Sequence, residues 1–193
     1  MRQTSFRSVT SGPVVAQTLR AELALFNLYP ASADEVPEAR AFAADLIGGD
    51  IVSSEALRMV HERSGVGLFV YRDIGALKGV IALVLLTAEG LRAAMTDRFD
   101  ALAPSPAHVA RIGQNPSGVY GWGIAAADKD TARRLAQASA VMTSSSIGHL
   151  PHFARAATEA GARFMERLGF RPYLPSRKGL VLLQPRLARR AAA

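Results

Sequence analysis

The sequence predicts one α/β domain, more closely an α+β arrangement. Its core should be a mixed, mostly antiparallel, twisted sheet flanked by helices, with one parallel strand pair. Three observations predict it. Two apolar runs, residues 66–72 and 77–86, are separated only by turn-like Asp73-Ile74-Gly75, which reads as an antiparallel hairpin. A strand-like run over 118–126, an Ala-rich helix over 128–142 and a second strand over 150–157 have the spacing of a parallel crossover. Strand and helix do not alternate throughout, which argues against a doubly wound dinucleotide fold.

Composition sets the frame. The chain has 193 residues, 49% hydrophobic and 20% charged, enough to bury a core and too apolar to be disordered. We read 1–193 as a single domain with a long irregular insertion at 87–117 and a basic tail at 185–193. There is no cysteine, so disulfides, zinc-thiolate sites and a thiol nucleophile are excluded. The N-terminus shows no apolar signal core and the run 80–86 is too short to span a bilayer, so a cytoplasmic, non-membrane protein is expected. The net charge of +7 is carried mostly by arginine, whose planar fork suits phosphate and carboxylate. No aromatic–basic binding motif accompanies it, and nucleic acid is not the expected partner.

In order, a first strand over 5–10 ends at Gly12-Pro13. A helix over 14–28 shows Val15, Leu19, Leu23 and Phe26 on one face and ends at Tyr29-Pro30. Two helices follow, 37–47 and 53–63, with Ser53 as the cap of the second. After the hairpin, 87–117 holds a short helix over 89–95 and three prolines. The strand 118–126, the helix 128–142 and a Ser-rich loop over 143–148 lead to the strand 150–157. Thr158 caps a last helix, with Glu159 in its first turn and Ala160, Phe164 and Leu168 four apart. Gly169 can take the left-handed cap, Pro172 prevents further helix, and strands over 170–174 and 179–184 close the chain.

That last block, a basic helix ending in Leu168-Gly169-Phe170 and running into a strand, resembles the GNAT N-acyltransferases. The order of elements matches that superfamily through nearly the whole chain, most strongly over 118–184. The resemblance implies a parallel strand pair that opens into a cleft for acetyl-CoA or another acyl-CoA. It implies N–H groups near Ile124, Ala125 and Ala126 that polarise the thioester. It also implies a pyrophosphate held at the following helix start, where Lys129, Thr131, Ala132 and Arg133 stand. Thr158 occupies a place implied to touch the pantetheine arm.

The chain departs from the family in two ways. Where the family has a glycine-rich loop, this sequence has Asp128 and Asp130, which repel phosphate unless Asp128 turns inward as a helix cap. Where many members place an acidic tyrosine, this chain has Met165, so a different residue, with Tyr120 and Tyr173 as candidates, or solvent would have to supply the proton. His149 and His152, at the start of the strand beside the expected cleft, are candidate bases. His61 and His108 read as surface residues. Arg155, within an apolar strand, either faces solvent or binds an anion. Asp97 and Asp100 could attract a cationic amine. The serines of 143–146 lack a nucleophile elbow and read as loop. No metal site is expected. The expected function is acyl-CoA-dependent N-acyl transfer to an amine of a small molecule or protein. A degenerate, non-catalytic binding module of the same fold is the alternative. The sequence is compatible with a homodimer and does not name the acceptor.

Overall fold

The structure is a computed structural model and describes residues 12–48, 51–174, 176 and 179–185. The strand expected over 5–10 and the basic run 186–190 lie outside the described residues. The helices are α1 (Gly12–Ala24), α2 (Glu35–Ile47), α3 (Ser54–Ser64), α4 (Ala88–Met95), α5 (Lys129–Ser144) and α6 (Glu159–Leu168). The strands are β1 (Leu28–Pro30), β2 (Leu68–Asp73), β3 (Ala76–Leu86), β4 (Gly118–Ala126), β5 (His152–Ala154), β6 (Arg171–Pro172) and β7 (Val181–Leu183). Among the described residues they form one seven-stranded sheet in the order β1-β2-β3-β4-β5-β7-β6. Every neighbouring pair is antiparallel except β4 and β5, which run parallel.

β3 shows why the sheet is central. Its inner run is apolar at every position because helices cover both faces. Ile81, Leu83 and Leu85 pack with Leu19 and Leu23 of α1 and Leu135 and Ala138 of α5. The alternate residues face the other way: Val80 meets Val36 and Leu57 of α2 and α3, and Val84 and Leu86 meet Ala93 and Ala94 of α4.

The helix caps follow the sequence. Ser53, Thr87, Asp128 and Thr158 each accept a backbone N–H from the first turn of the helix they open. Gly65 and Gly169 end α3 and α6 in the left-handed conformation, as Gly169 was expected to.

Several expectations are corrected. α1 stops at Ala24, and Asn27, at φ 58°, turns the chain into β1, which the sequence reading missed. Leu28 is fully buried there, and Pro30 is tolerated because β1 is an edge strand. α5 runs through Thr143 and Ser144 into the expected loop, and their hydroxyls bond back to the carbonyls of Ser139 and Ala140 instead of breaking the helix. β5 pairs only over His152–Ala154, and β6 and β7 are shorter than expected. The apolar side of α6 is not buried: Phe164 and Leu168 are half-covered and Ala160 is exposed, because the two- and three-residue strands β5, β6 and β7 give it little sheet to lie on. His61 is buried rather than on the surface, and His108 is half-buried against Phe99.

The segment 87–117 is stitched to the sheet. After α4 it makes a 3-10 turn (Pro106–His108), a bridge between Leu86 and Val109, and a bond from the Ala110 N–H to the Leu85 carbonyl.

Candidate active site

β4 changes partner along its length. Its first half pairs with β5 at Val119–His152, Tyr120–Phe153 and Gly121–Ala154, and the ladder then ends. β4 continues to Ala126, held on its other side by β3. The β3–β4 register shifts there: Ala82 opposes Gly123 and Leu83 opposes Gly121, so Trp122 is an extra residue in β4. Such a bulge bends its strand and increases the local twist. The result is a parallel pair that opens after Gly121 and leaves the far edge of β4 without a strand partner among the described residues. The sequence reading missed the bulge, although Gly121-Trp122-Gly123 inside a strand is the signal that marks one.

The open end is built from small groups. Ile124 is exposed, Ala125 is buried against the α2–α3 side and Ala126 is half-buried. α5 starts directly beyond, so Lys129, Thr131, Ala132 and Arg133 cluster with the end of β4. Lys129, Ala132 and Arg133 are exposed. Thr131 is buried, packed so closely on β3 that a Cβ on Gly79 would lie 2.8 Å from its Cγ2. Asp128 does cap the helix, its carboxylate accepting the Thr131 N–H at 2.8 Å, but the residue stays exposed rather than turned inward. Hydrogen bonds from the Thr131 main chain and side chain hold the Asp128 carboxyl below its usual pKa, with nearby Lys78 adding to the effect. Asp130 pairs with Arg133 at 3.1 Å.

On the α3–α4 side of the opening stands an aromatic wall. Tyr120 is buried with its ring 4.9 Å from Phe99, and Phe153 meets Tyr173 edge-on at 5.5 Å. The Trp122 Nε1–H donates to the Ala101 carbonyl at 2.6 Å, tying segment 87–117 to the bulge. Burial raises the Tyr120 pKa, Arg155 opposes the shift and Asp97 adds to it, so both charges lie within electrostatic reach of this phenol. The Tyr173 hydroxyl donates to the Met95 carbonyl at 3.0 Å, so it is already engaged. Asp97, at φ 59°, accepts the Ser176 hydroxyl at 2.9 Å, and Asp100 caps its own turn through the N–H groups of Leu102 and Ala103.

The two histidines are not brought to this opening. His152 pairs with Val119, near the start of β4, five residues before Ile124 and so roughly 15 Å away along the strand. It is buried, its Nε2 is 2.9 Å from the Ile147 carbonyl, and burial lowers its pKa. His149 is exposed at the same end. Thr158 caps α6 through the Gly161 N–H at 3.0 Å, and Met165 is half-buried on that helix. A groove of about 600 Å³ along α3, lined by residues such as Arg58, Met59 and Arg111, includes no residue of β4, β5 or α5.

No family model matches the sequence, and no curated protein matches it. Among solved structures, the chain is similar to one described as a histone acetyltransferase HPA2 and related acetyltransferase from Corynebacterium glutamicum. The TM-score is 0.50, with 16% identity over 84% of this chain and 97% of that one. This chain has the GNAT fold. The mixed sheet, its one parallel pair and the flanking helices are those the sequence resemblance implied.

Proposed function

We propose that the chain is a GNAT-type N-acyltransferase that moves an acyl group, most simply acetyl, from a CoA thioester to an amine. The observation that carries this reading is the opening of β4 from β5 after Gly121, with the start of α5 at its mouth. A pantetheine arm can lie along the unpartnered edge of β4 and place its thioester carbonyl against the main-chain N–H groups near Ile124, Ala125 and Ala126. The amine nitrogen attacks that carbonyl, the C–S bond breaks, and the amine's proton passes to solvent. The leaving thiolate takes a proton from solvent; Tyr120, which burial keeps protonated, lies four residues before Ile124, roughly 13 Å along the strand from that carbonyl.

Release of free thiol from acetyl-CoA in the presence of a panel of amines tests the reading. Ile124→Glu, at an exposed position, should reduce turnover by at least about tenfold, because it sets a charged side chain where the uncharged pantetheine arm would lie. Tyr120→Phe should leave kcat within about threefold of the wild type, because the phenol stands four residues along β4 from the thioester carbonyl. Unchanged turnover in Ile124→Glu would count against the placement of the donor.

The non-catalytic scaffold is the second reading. The Asp128 carboxylate on the α5 N-terminus and Met165 in place of a tyrosine favour it. Absence of turnover with every amine, together with absence of acetyl-CoA binding, would make it the better one.

A further inference from the structure

The turn between β4 and α5 engages three of its N–H groups with its own chain. The Asp128 carboxylate accepts the Thr131 N–H at 2.8 Å. The Ala127 N–H is taken by the Lys78 carbonyl at 2.9 Å, and the Ala132 N–H closes the first helical bond on the Asp128 carbonyl at 2.9 Å. Two of the three cations of α5 are also committed, while Lys129 is exposed. Arg133 pairs with Asp130, and Arg134 lies 4.7 Å over the Tyr71 ring and reaches the Phe26 carbonyl at 3.4 Å. Across the first turn, Asp128 and Asp130 cancel Lys129 and Arg133. A diphosphate at a helix start is held by free N–H groups and an excess of positive charge. This turn presents a carboxylate instead.

Resting on the acyl-thioester reading above, we infer that Asp128 is a specificity residue that takes the place a donor diphosphate would occupy. The chain therefore selects its donor by the pantetheine arm and the thioester, and gains little from the nucleotide. Thioesters of pantetheine and of CoA are then near-equivalent ligands. A residue that caps the helix without charge should restore the preference for CoA.

Calorimetric titration of the full chain with S-acetylpantetheine and with acetyl-CoA tests this, in the wild type and in Asp128→Ser. Serine keeps the cap, and thermal melting without ligand checks that the fold is kept. Asp128→Asn serves as the second variant. In the wild type the two dissociation constants should agree within about threefold, a difference of half a decade in affinity. In Asp128→Ser the acetyl-CoA constant should fall by about tenfold or more, since one repulsive charge a few ångströms from the phosphates is removed, while that of S-acetylpantetheine stays put. A wild type that binds acetyl-CoA tenfold more tightly than S-acetylpantetheine would overturn the inference, as would an unchanged ratio in both variants. If neither ligand binds any of the three proteins, the acyl-thioester reading falls and the inference falls with it.

Discussion

At the scale of the residue, His61 shows how a single side chain ties elements together. Its Nδ1 accepts the Leu68 N–H at 3.0 Å and its Nε2 lies 2.8 Å from the Ala31 carbonyl, so the neutral ring with the proton on Nε2 joins α3 to β2 and to the chain after β1. A second proton would point at the Leu68 N–H. Burial is the main cause that lowers the pKa of His61, and likewise of His152. In the window below the unfolded-state value of about 6.5, the unfolded chain binds more protons than the folded one, so stability rises with pH there. It should be complete above about pH 6.5 and decline as pH falls through the lowered folded values. Urea unfolding between pH 8 and pH 5 reads this slope. His61→Ala should flatten it and cost about 3 kcal/mol at pH 7.5, because it leaves a buried N–H and a buried carbonyl unpaired. An unchanged slope in the variant would mean that His61 does not titrate differently in the two states. This role was not legible in the sequence. Nothing adjacent to His61 in the chain signals partners 30 and 7 residues away.

At the scale of the element, α4 carries an instructive glycine. Alanine in a helix interior ordinarily stabilises by about 0.5–1 kcal/mol relative to glycine. At Gly90 the sign should reverse, since an added Cβ would meet the His108 carbonyl oxygen at 2.3 Å, and backbone cannot step aside cheaply. Gly90→Ala should destabilise by about 2–3 kcal/mol, read from the denaturation midpoint. A gain in stability would mean that the 3-10 turn gives way freely. The same contrast explains what was legible. The hairpin, β4 and the capped helices announce themselves through local pattern, alternation or a cap residue. β1 does not, and β5 to β7 were legible as strands but not in length, because pairing is set by distant neighbours and by where the sheet runs out. α6 has a clear amphipathic pattern, yet pattern alone does not show whether a neighbouring surface exists to cover it. The site divides in the same way. The β4–α5 junction was found from local sequence. The distance of His149 and His152 from it follows from the β4–β5 register, which no local pattern encodes.

At the scale of the molecule, the sheet places one unpaired strand edge, one helix start and one aromatic wall around a single opening. No helix among the described residues is long and apolar enough to cross a membrane. The charge of +7 is spread over arginines, several of them paired or bonded to main-chain carbonyls, as Arg20, Arg63, Arg72 and Arg134 are. Binding to non-specific DNA should therefore be weak and fall steeply with salt, and anisotropy titration at low and moderate salt checks this. Tight binding that persists at moderate salt would place the charge in a different role. Thermal unfolding with and without acetyl-CoA reads whether the β4–β5 opening holds an acyl thioester. At a hundredfold excess over its dissociation constant, a ligand bound only to the folded state adds about 2.7 kcal/mol, which for a chain of this size raises the midpoint by roughly 5–10 °C. Acetyl-CoA should produce such a rise. A midpoint unmoved by millimolar acetyl-CoA, free CoA or a longer acyl-CoA would contradict it.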